Sequence, residues 1–198
     1  MFATEGTGVE RLNWLTSIKV NPRESSKRGF NYAVLSDEEV LFNLIEGTEG
    51  LGLFSSGSSR AFRIDGVDNT GSKVFSLRRP GGMFGVNKVE LFMNGALAGV
   101  VRQQSSFFKS IFSINDARDS PILRLKGESN EASDYKLQNK SKNIIGSIRM
   151  KNAGMLKQLA LRNDKSYVIT FPADLGVHLK LTVIAACVLI NFKKHKYQ

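Results

Sequence analysis

The chain of 198 residues carries 28 Lys and Arg against 18 Asp and Glu, a formal net charge of +10, and 41% of its residues are apolar. That length suits one domain with a sizeable core, and that apolar share excludes a chain dominated by disorder. A single cysteine, Cys187, excludes an internal disulfide framework, two histidines make a protein-built zinc site unexpected, and the positive excess points to an anionic partner, lipid headgroup or nucleic acid.

Met1 to Val20 has neither a basic n-region nor a continuous apolar stretch, so no secretory signal is read there and a cytosol-facing protein is expected. Short strands follow in series. Leu15 to Val20 is the first, then Phe30 to Ser36 and Val40 to Glu46 flank Asp37-Glu38-Glu39. Gly47 to Ser59 is a glycine- and serine-rich loop. Its Gly50-Leu51-Gly52 lacks the third glycine and the Gly-Lys-Ser/Thr that a phosphate-cradling loop needs.

Ala61 to Val67 and Lys73 to Arg78 flank the turn Asp68-Asn69-Thr70-Gly71. Lys88 to Met93 and Leu97 to Arg102 flank Asn94-Gly95, favoured in a type I′ hairpin because both positions need positive φ. Phe107 to Ile114 and Pro121 to Lys126 flank residues 115–118. Tyr135 to Asn139 and Ile144 to Met150 flank Lys140-Ser141-Lys142, and Ser166 to Phe171 is the last strand. Stretches such as Val89-Glu90-Leu91-Phe92-Met93 alternate with period two, which turns one face inward and the other to water. Roughly twelve strands at this spacing predict an antiparallel barrel or sandwich. Asn139-Lys140-Ser141 has the form of a glycosylation sequon and reads here as a polar turn.

The C-terminal segment differs. Pro172-Ala173-Asp174 predicts a helix start, with Asp174 as N-cap or first-turn carboxylate, and Leu175 to Phe192 follows as helix. Eighteen residues would span about 27 Å, near the thickness of a bilayer core. His178 and Lys180 shorten the clean apolar run to about ten residues, from Leu181 to Ile190, which suits a buried core helix. A closed sheet needs an apolar filler, so Leu181, Val183, Ile184, Cys187, Val188 and Ile190 are expected inside the barrel. Cys187 then reads as an inert buried thiol.

The run from Phe171-Pro172-Ala173-Asp174-Leu175-Gly176-Val177-His178-Leu179-Lys180 into Val183 to Phe192 resembles the C-terminal signature of the phospholipid scramblase family. Ser59-Arg60-Ala61-Phe62, Val67-Asp68-Asn69-Thr70-Gly71 and Leu77-Arg78-Arg79-Pro80 resemble that family's central hairpin, and Gly8-Val9-Glu10 with Leu12 and Leu15 its first segment. The resemblance covers roughly residues 8 to 193. It implies a mainly β, Tubby-like fold, an antiparallel barrel of about twelve strands around a central C-terminal hydrophobic helix. One domain over residues 1–198 is expected, with flexible ends at 1–8 and 193–198.

The resemblance also implies a membrane-associated protein at the cytosolic face. Its activity would be calcium-triggered, ATP-independent, bidirectional movement of phospholipid between leaflets, without covalent chemistry. The implied calcium loop falls on Asn163 to Asp174, with Asn163, Asp164 and Asp174 as candidate ligands. Calcium wants several carboxylate oxygens, and Lys165 at the third position repels it. The family's proline-rich extension and palmitoylated cysteine cluster have no counterpart, since Arg79 to Val89 holds no cysteine, so no S-acyl anchor is expected.

Membrane attachment is therefore expected to rest on basic residues or on the C-terminal segment. Arg78, Arg79, Arg149 and Lys151, with Lys157, Arg162 and Lys165, are expected to share one face, and Lys193, Lys194 and Lys196 to form a basic tail. Phe107-Phe108 beside Lys109 is expected in the core rather than at an interface. No Ser/His/Asp, Cys/His or paired-carboxylate arrangement stands out. Two other functions fit the composition. One is a non-enzymatic module of the same fold that binds anionic lipid or acts as a scaffold. The other is nucleic-acid binding, which the charge suggests but no recognition helix or aromatic stacking motif accompanies.

Overall fold

The period-two segments all become strands. In the computed structural model, which describes residues 8–23, 30–37, 39–47, 60–81, 88–104, 106, 108–129, 132–151 and 166–194, the described residues form twelve strands. They are β1 (Ser17–Arg23), β2 (Asn31–Ser36), β3 (Glu39–Glu46), β4 (Phe62–Val67), β5 (Lys73–Arg79), β6 (Lys88–Met93), β7 (Ala96–Gln104), β8 (Ile111–Asn115), β9 (Pro121–Gly127), β10 (Asp134–Gln138), β11 (Ile144–Lys151) and β12 (Ser166–Thr170). A single helical turn, α1 (Gly8–Arg11), precedes them, and a long helix, α2 (Val177–Lys194), follows.

Each strand pairs antiparallel with its neighbours in sequence, and β1 pairs with both β2 and β12, which closes the barrel. The Asn94-Gly95 turn takes φ of 50° and 77°, the left-handed values that select Asn-Gly. β8 begins at Ile111, four residues later than the sequence suggested. The apolar pair Phe107-Phe108 lengthened the predicted strand, and Phe108 belongs to the connection.

Strands about 4.8 Å apart and tilted by about 40° give twelve of them a perimeter of about 75 Å and a radius of about 12 Å. A helix with its side chains has a radius of about 5–6 Å, which leaves one layer of inward side chains around it. α2 occupies that space. Every residue from Lys180 to Phe192 is buried, whichever way it points around the helix, so sheet surrounds it on all sides. Leu181, Val183, Ile184, Cys187, Val188 and Ile190 are all at most 1% exposed. They meet inward residues such as Val20, Phe42, Leu77, Leu91, Ile114 and Ile169 in one core cluster. Gly99 lets β7 approach the helix closely, because a Cβ there would run into Thr182 Oγ1.

The helix starts later than expected. Leu179 N and Lys180 N both donate to Gly176 O, at 2.9 and 3.0 Å, and the first turn holds no acidic residue. Asp174 lies two residues before that point, exposed in the turn after β12, so it is not the N-cap. At its other end α2 runs to Lys194, so Lys193 and Lys194 are helical rather than part of a loose end.

Lys180 fixes the depth of the helix. Its buried ammonium donates to Leu12 O at 3.0 Å, Asn13 O at 2.8 Å, Leu15 O at 3.0 Å and Ala173 O at 2.9 Å, and lies 5.1 Å from the Phe171 ring centroid. Near the other end Tyr167 OH donates to Asn191 Oδ1 at 2.9 Å, and Asn191 Nδ2 donates to Tyr32 OH at 3.0 Å. A buried polar group must be paired, so these bonds pin both ends of the helix in register with the sheet.

Burial also pushes the Cys187 thiol well above its ordinary range. The folded chain should therefore stay unreactive toward a thiol reagent and expose its single cysteine only on unfolding in guanidinium. The rate of labelling reads the burial of α2 directly. Fast native-state labelling would contradict the enclosed helix.

Candidate functional site

Up-and-down connectivity separates the two ends of the barrel by loop length. Residues 37, 68–72, 94–95, 116–120 and 139–143 lie in short turns at one end, beside α1 and the start of α2. The links β1–β2, β3–β4, β5–β6, β7–β8, β9–β10 and β11–β12 are longer in sequence, and the strand ends that they join lie at the other end, where α2 finishes. Function concentrates in long connections on a rigid scaffold, so the second end is the candidate surface.

At that end an aromatic and cationic layer closes the barrel. Phe192 meets Phe30 with centroids 5.5 Å apart and Phe62 at 5.3 Å, and the Arg79 guanidinium lies 4.9 Å from its centroid. Arg60 lies 5.4 Å from the Phe30 centroid and pairs with the buried Glu46 carboxylate at 2.8 Å. Arg79 also donates to Arg60 O. Burial, and then the nearby Arg60 charge, pull Arg79 below the ordinary arginine range.

This layer corrects the expected basic face. Arg79 is 1% exposed and is part of the core lid, not a surface cation. Lys194 is half-buried and donates to Ala132 O at 2.6 Å, while Lys193 donates to Gln103 Oε1, so the helix end is stitched to the barrel rather than trailing as a tail. Lys196, Lys157, Arg162 and Lys165 lie outside the described residues. Arg78, Arg149 and Lys151 are exposed, but they do not gather. β5 and β11 are six strands apart in a barrel of twelve, which puts Arg78 and Arg149 on opposite walls. Arg149 lies 3.5 Å from the Asp134 carboxylate.

Phe108 reverses its expectation. It is 82% exposed, on the 105–110 connection, next to exposed Lys109. Lys151, also exposed, ends β11 at the same end of the barrel. A bare aromatic ring beside a lysine is out of place in water and suited to a headgroup layer.

The short-turn end has a different character. Trp14 and Ile144 are 74% and 63% exposed there, but carboxylates crowd the turns. Asp68 Oδ1 accepts from Thr70 N at 2.9 Å, Thr70 Oγ1 at 2.7 Å and Ser72 N at 2.9 Å, and the Thr70 hydroxyl leads in holding its pKa below the usual range. Arg11 donates to Glu39 through both terminal guanidinium nitrogens, at 2.5 and 2.7 Å. Of the candidate calcium ligands only Asp174 falls among the described residues, exposed at this end; Asn163 and Asp164 lie outside them. Among the described residues no three His, Cys, Asp or Glu side chains come together as a metal site. No helix among the described residues is long and apolar enough to cross a membrane.

A family model described as Scramblase matches residues 31–196. Human phospholipid scramblase 1 is 25% identical over 197 residues, which cover 93% of this chain and 59% of that protein. Bovine phospholipid scramblase 2 is 30% identical over 149 residues, covering 69% and 50% respectively. The chain thus spans little more than half the length of the curated relatives it matches. A crystal structure of an Arabidopsis thaliana protein superposes with a TM-score of 0.54 at 17% identity, covering 93% of this chain and 96% of that one, a likeness of fold.

Proposed function

We propose, from the premise that this chain belongs to the scramblase family, that it works on phospholipid by docking its long-connection end on an anionic membrane surface. Phe108, exposed beside Lys109 at that end, carries the reading. Burying a phenylalanine side chain among acyl chains contributes about 2–3 kcal/mol. Each lysine near an anionic leaflet adds about 1 kcal/mol. Phe108, Lys109 and Lys151 together would support reversible binding at the cytosolic face, without a lipid anchor.

Flotation with phosphatidylcholine vesicles containing phosphatidylserine tests this. Phe108→Ser should weaken binding about ten- to hundredfold, while Trp14→Ser at the opposite end should leave it unchanged. The reverse pattern would place docking at the other end. The lysine at the third loop position argues that a chelator will not abolish binding. Binding that disappears with chelator would restore a calcium role for Asn163, Asp164 and Asp174.

ATP-independent movement of phospholipid between leaflets is the activity that the names of the relatives suggest, and reconstituted vesicles with a quenchable labelled lipid would measure it. A second reading, lipid binding without translocation, draws on the buried helix: α2 fills the space that a lipid tail would need. Vesicle binding with no lipid transfer would select it. Nucleic-acid binding, which the charge suggests, is tested by DNA competition against vesicles.

A further inference from the structure

The end of the barrel away from Phe108 leaves two large apolar side chains in water, Trp14 and Ile144, at 74% and 63% exposure. They are distant in sequence, and the sheet brings them together. Ser17 on β1 and Ser147 on β11 both pair with Thr170 of β12. Trp14 precedes Ser17 by as many residues as Ile144 precedes Ser147, so the two flank the chain that leaves β12 through Ala173. The Lys180 ammonium holds that arrangement, because it binds Asn13 O, Leu15 O and Ala173 O together. Two strand spacings separate the flanking backbones by about 10 Å. Neither side chain belongs to the core cluster, so packing of the barrel does not account for this patch.

Charge divides the patch into halves. Asp174 is exposed on the Trp14 side, and Lys140 and Lys142 are exposed in the turn that leads into Ile144. Among the described residues none of these three makes an ion pair. Asp174 would be repelled by an anionic leaflet, and a partner of one charge sign would suit only half the patch. A two-fold axis satisfies both halves, because in an isologous contact the acidic half of one copy meets the basic half of the other. We propose that this end is a homodimer interface. Two barrels meet short-turn end to short-turn end, with Trp14 against Ile144 of the second copy and Asp174 opposite its Lys140 and Lys142. A barrel end with its outer side chains, of radius about 15 Å, presents roughly 700 Å², near the ~800 Å² per partner of a standard interface. The axis lies across the barrels, so the two Phe108 ends point in opposite directions. The dimer then carries a docking end at each pole and holds two bilayers together. Only this last consequence rests on the docking reading above.

Sedimentation equilibrium without lipid tests the contact. A reversible dimer is expected between about 1 and 100 µM protein. Trp14→Ser should weaken it about thirtyfold and Ile144→Ser about tenfold, the losses of a central aromatic anchor and of its aliphatic counterpart. Lys140→Glu with Lys142→Glu should weaken it about tenfold, and adding Asp174→Asn to that variant should recover affinity, because it removes the carboxylate that the new glutamates face. General destabilisation cannot produce that recovery. All these side chains are exposed, so melting temperatures should stay at the wild-type value. A chain that stays monomeric throughout the range overturns the proposal, as does a dimer insensitive to both Trp14→Ser and Ile144→Ser. Turbidity of phosphatidylcholine vesicles containing phosphatidylserine tests the arrangement. Wild type should float with the vesicles and cluster them, whereas Trp14→Ser should float without clustering. A dimer that floats without clustering overturns the end-to-end arrangement. A monomer that loses flotation on Trp14→Ser assigns the patch to lipid and overturns the interface. Absence of flotation overturns the docking reading alone and leaves sedimentation to decide the interface.

Discussion

Lys180→Met is expected to destabilise the barrel by about 3–5 kcal/mol, seen as a fall of roughly 8–15 °C in melting temperature. Methionine keeps nearly the length and volume of the lysine stem, so the cavity term is small. The loss is in polar pairing. The ammonium lies 2.8 to 3.0 Å from four backbone carbonyls, of Leu12, Asn13, Leu15 and Ala173, and its three protons are shared among them. Each carbonyl left buried without a donor costs about 1–3 kcal/mol, less where the end of the barrel can admit water. Lys180→Arg should not restore stability, because a planar fork cannot reproduce the compact three-proton donor. A loss below about 1 kcal/mol would mean that the carbonyls find water and that the ammonium does not hold the helix.

Phe192→Ala should cost a similar amount, about 3–5 kcal/mol in denaturant unfolding, for a different reason. Phe192 is where the helix meets the closing layer, in contact with Phe30, Phe62 and Arg79. Its removal leaves a cavity and strips the buried guanidinium of the ring face that offsets its desolvation, a further contribution of about 0.5–2 kcal/mol. Phe108→Ser is the matched control. With 82% of its surface in water, Phe108 should change stability by no more than about 0.5 kcal/mol while controlling vesicle binding. Equal destabilisation by the two variants would mean that Phe108 packs against the barrel.

The contrast between those two phenylalanines shows what a sequence of this kind discloses. Strand segments were legible because period-two alternation and turn residues are local: Lys88 to Met93 matches β6 at both ends, and Asn94-Gly95 adopts the backbone its residue types require. The enclosed helix was legible because an apolar run of that length has few places to go. Arg79 was misread although its signal was present, since it shares strand parity with the inward Phe75 and Leu77. Charge outweighed position there. The four partners of Lys180 were not legible, because three of them lie more than 160 residues away in the chain. Nor was the face-to-face placement of Arg63 and Arg78, which depends on the β4–β5 register and on the irregularity between Gly66 and Val67.

Enclosure of α2 has a consequence for biosynthesis. The filler of the barrel is the last of the described elements to be made, after all twelve strands. At about 5–20 residues per second a ribosome takes roughly eight to thirty seconds to pass from β1 to the start of α2. Through that interval the nascent sheet has no partner for its inward leucines, valines and phenylalanines, and its first strand has no β12 to close against. Folding must therefore wait for the tail of the domain, and a nascent chain stalled short of Val177 would be a client for chaperones rather than a smaller version of the barrel.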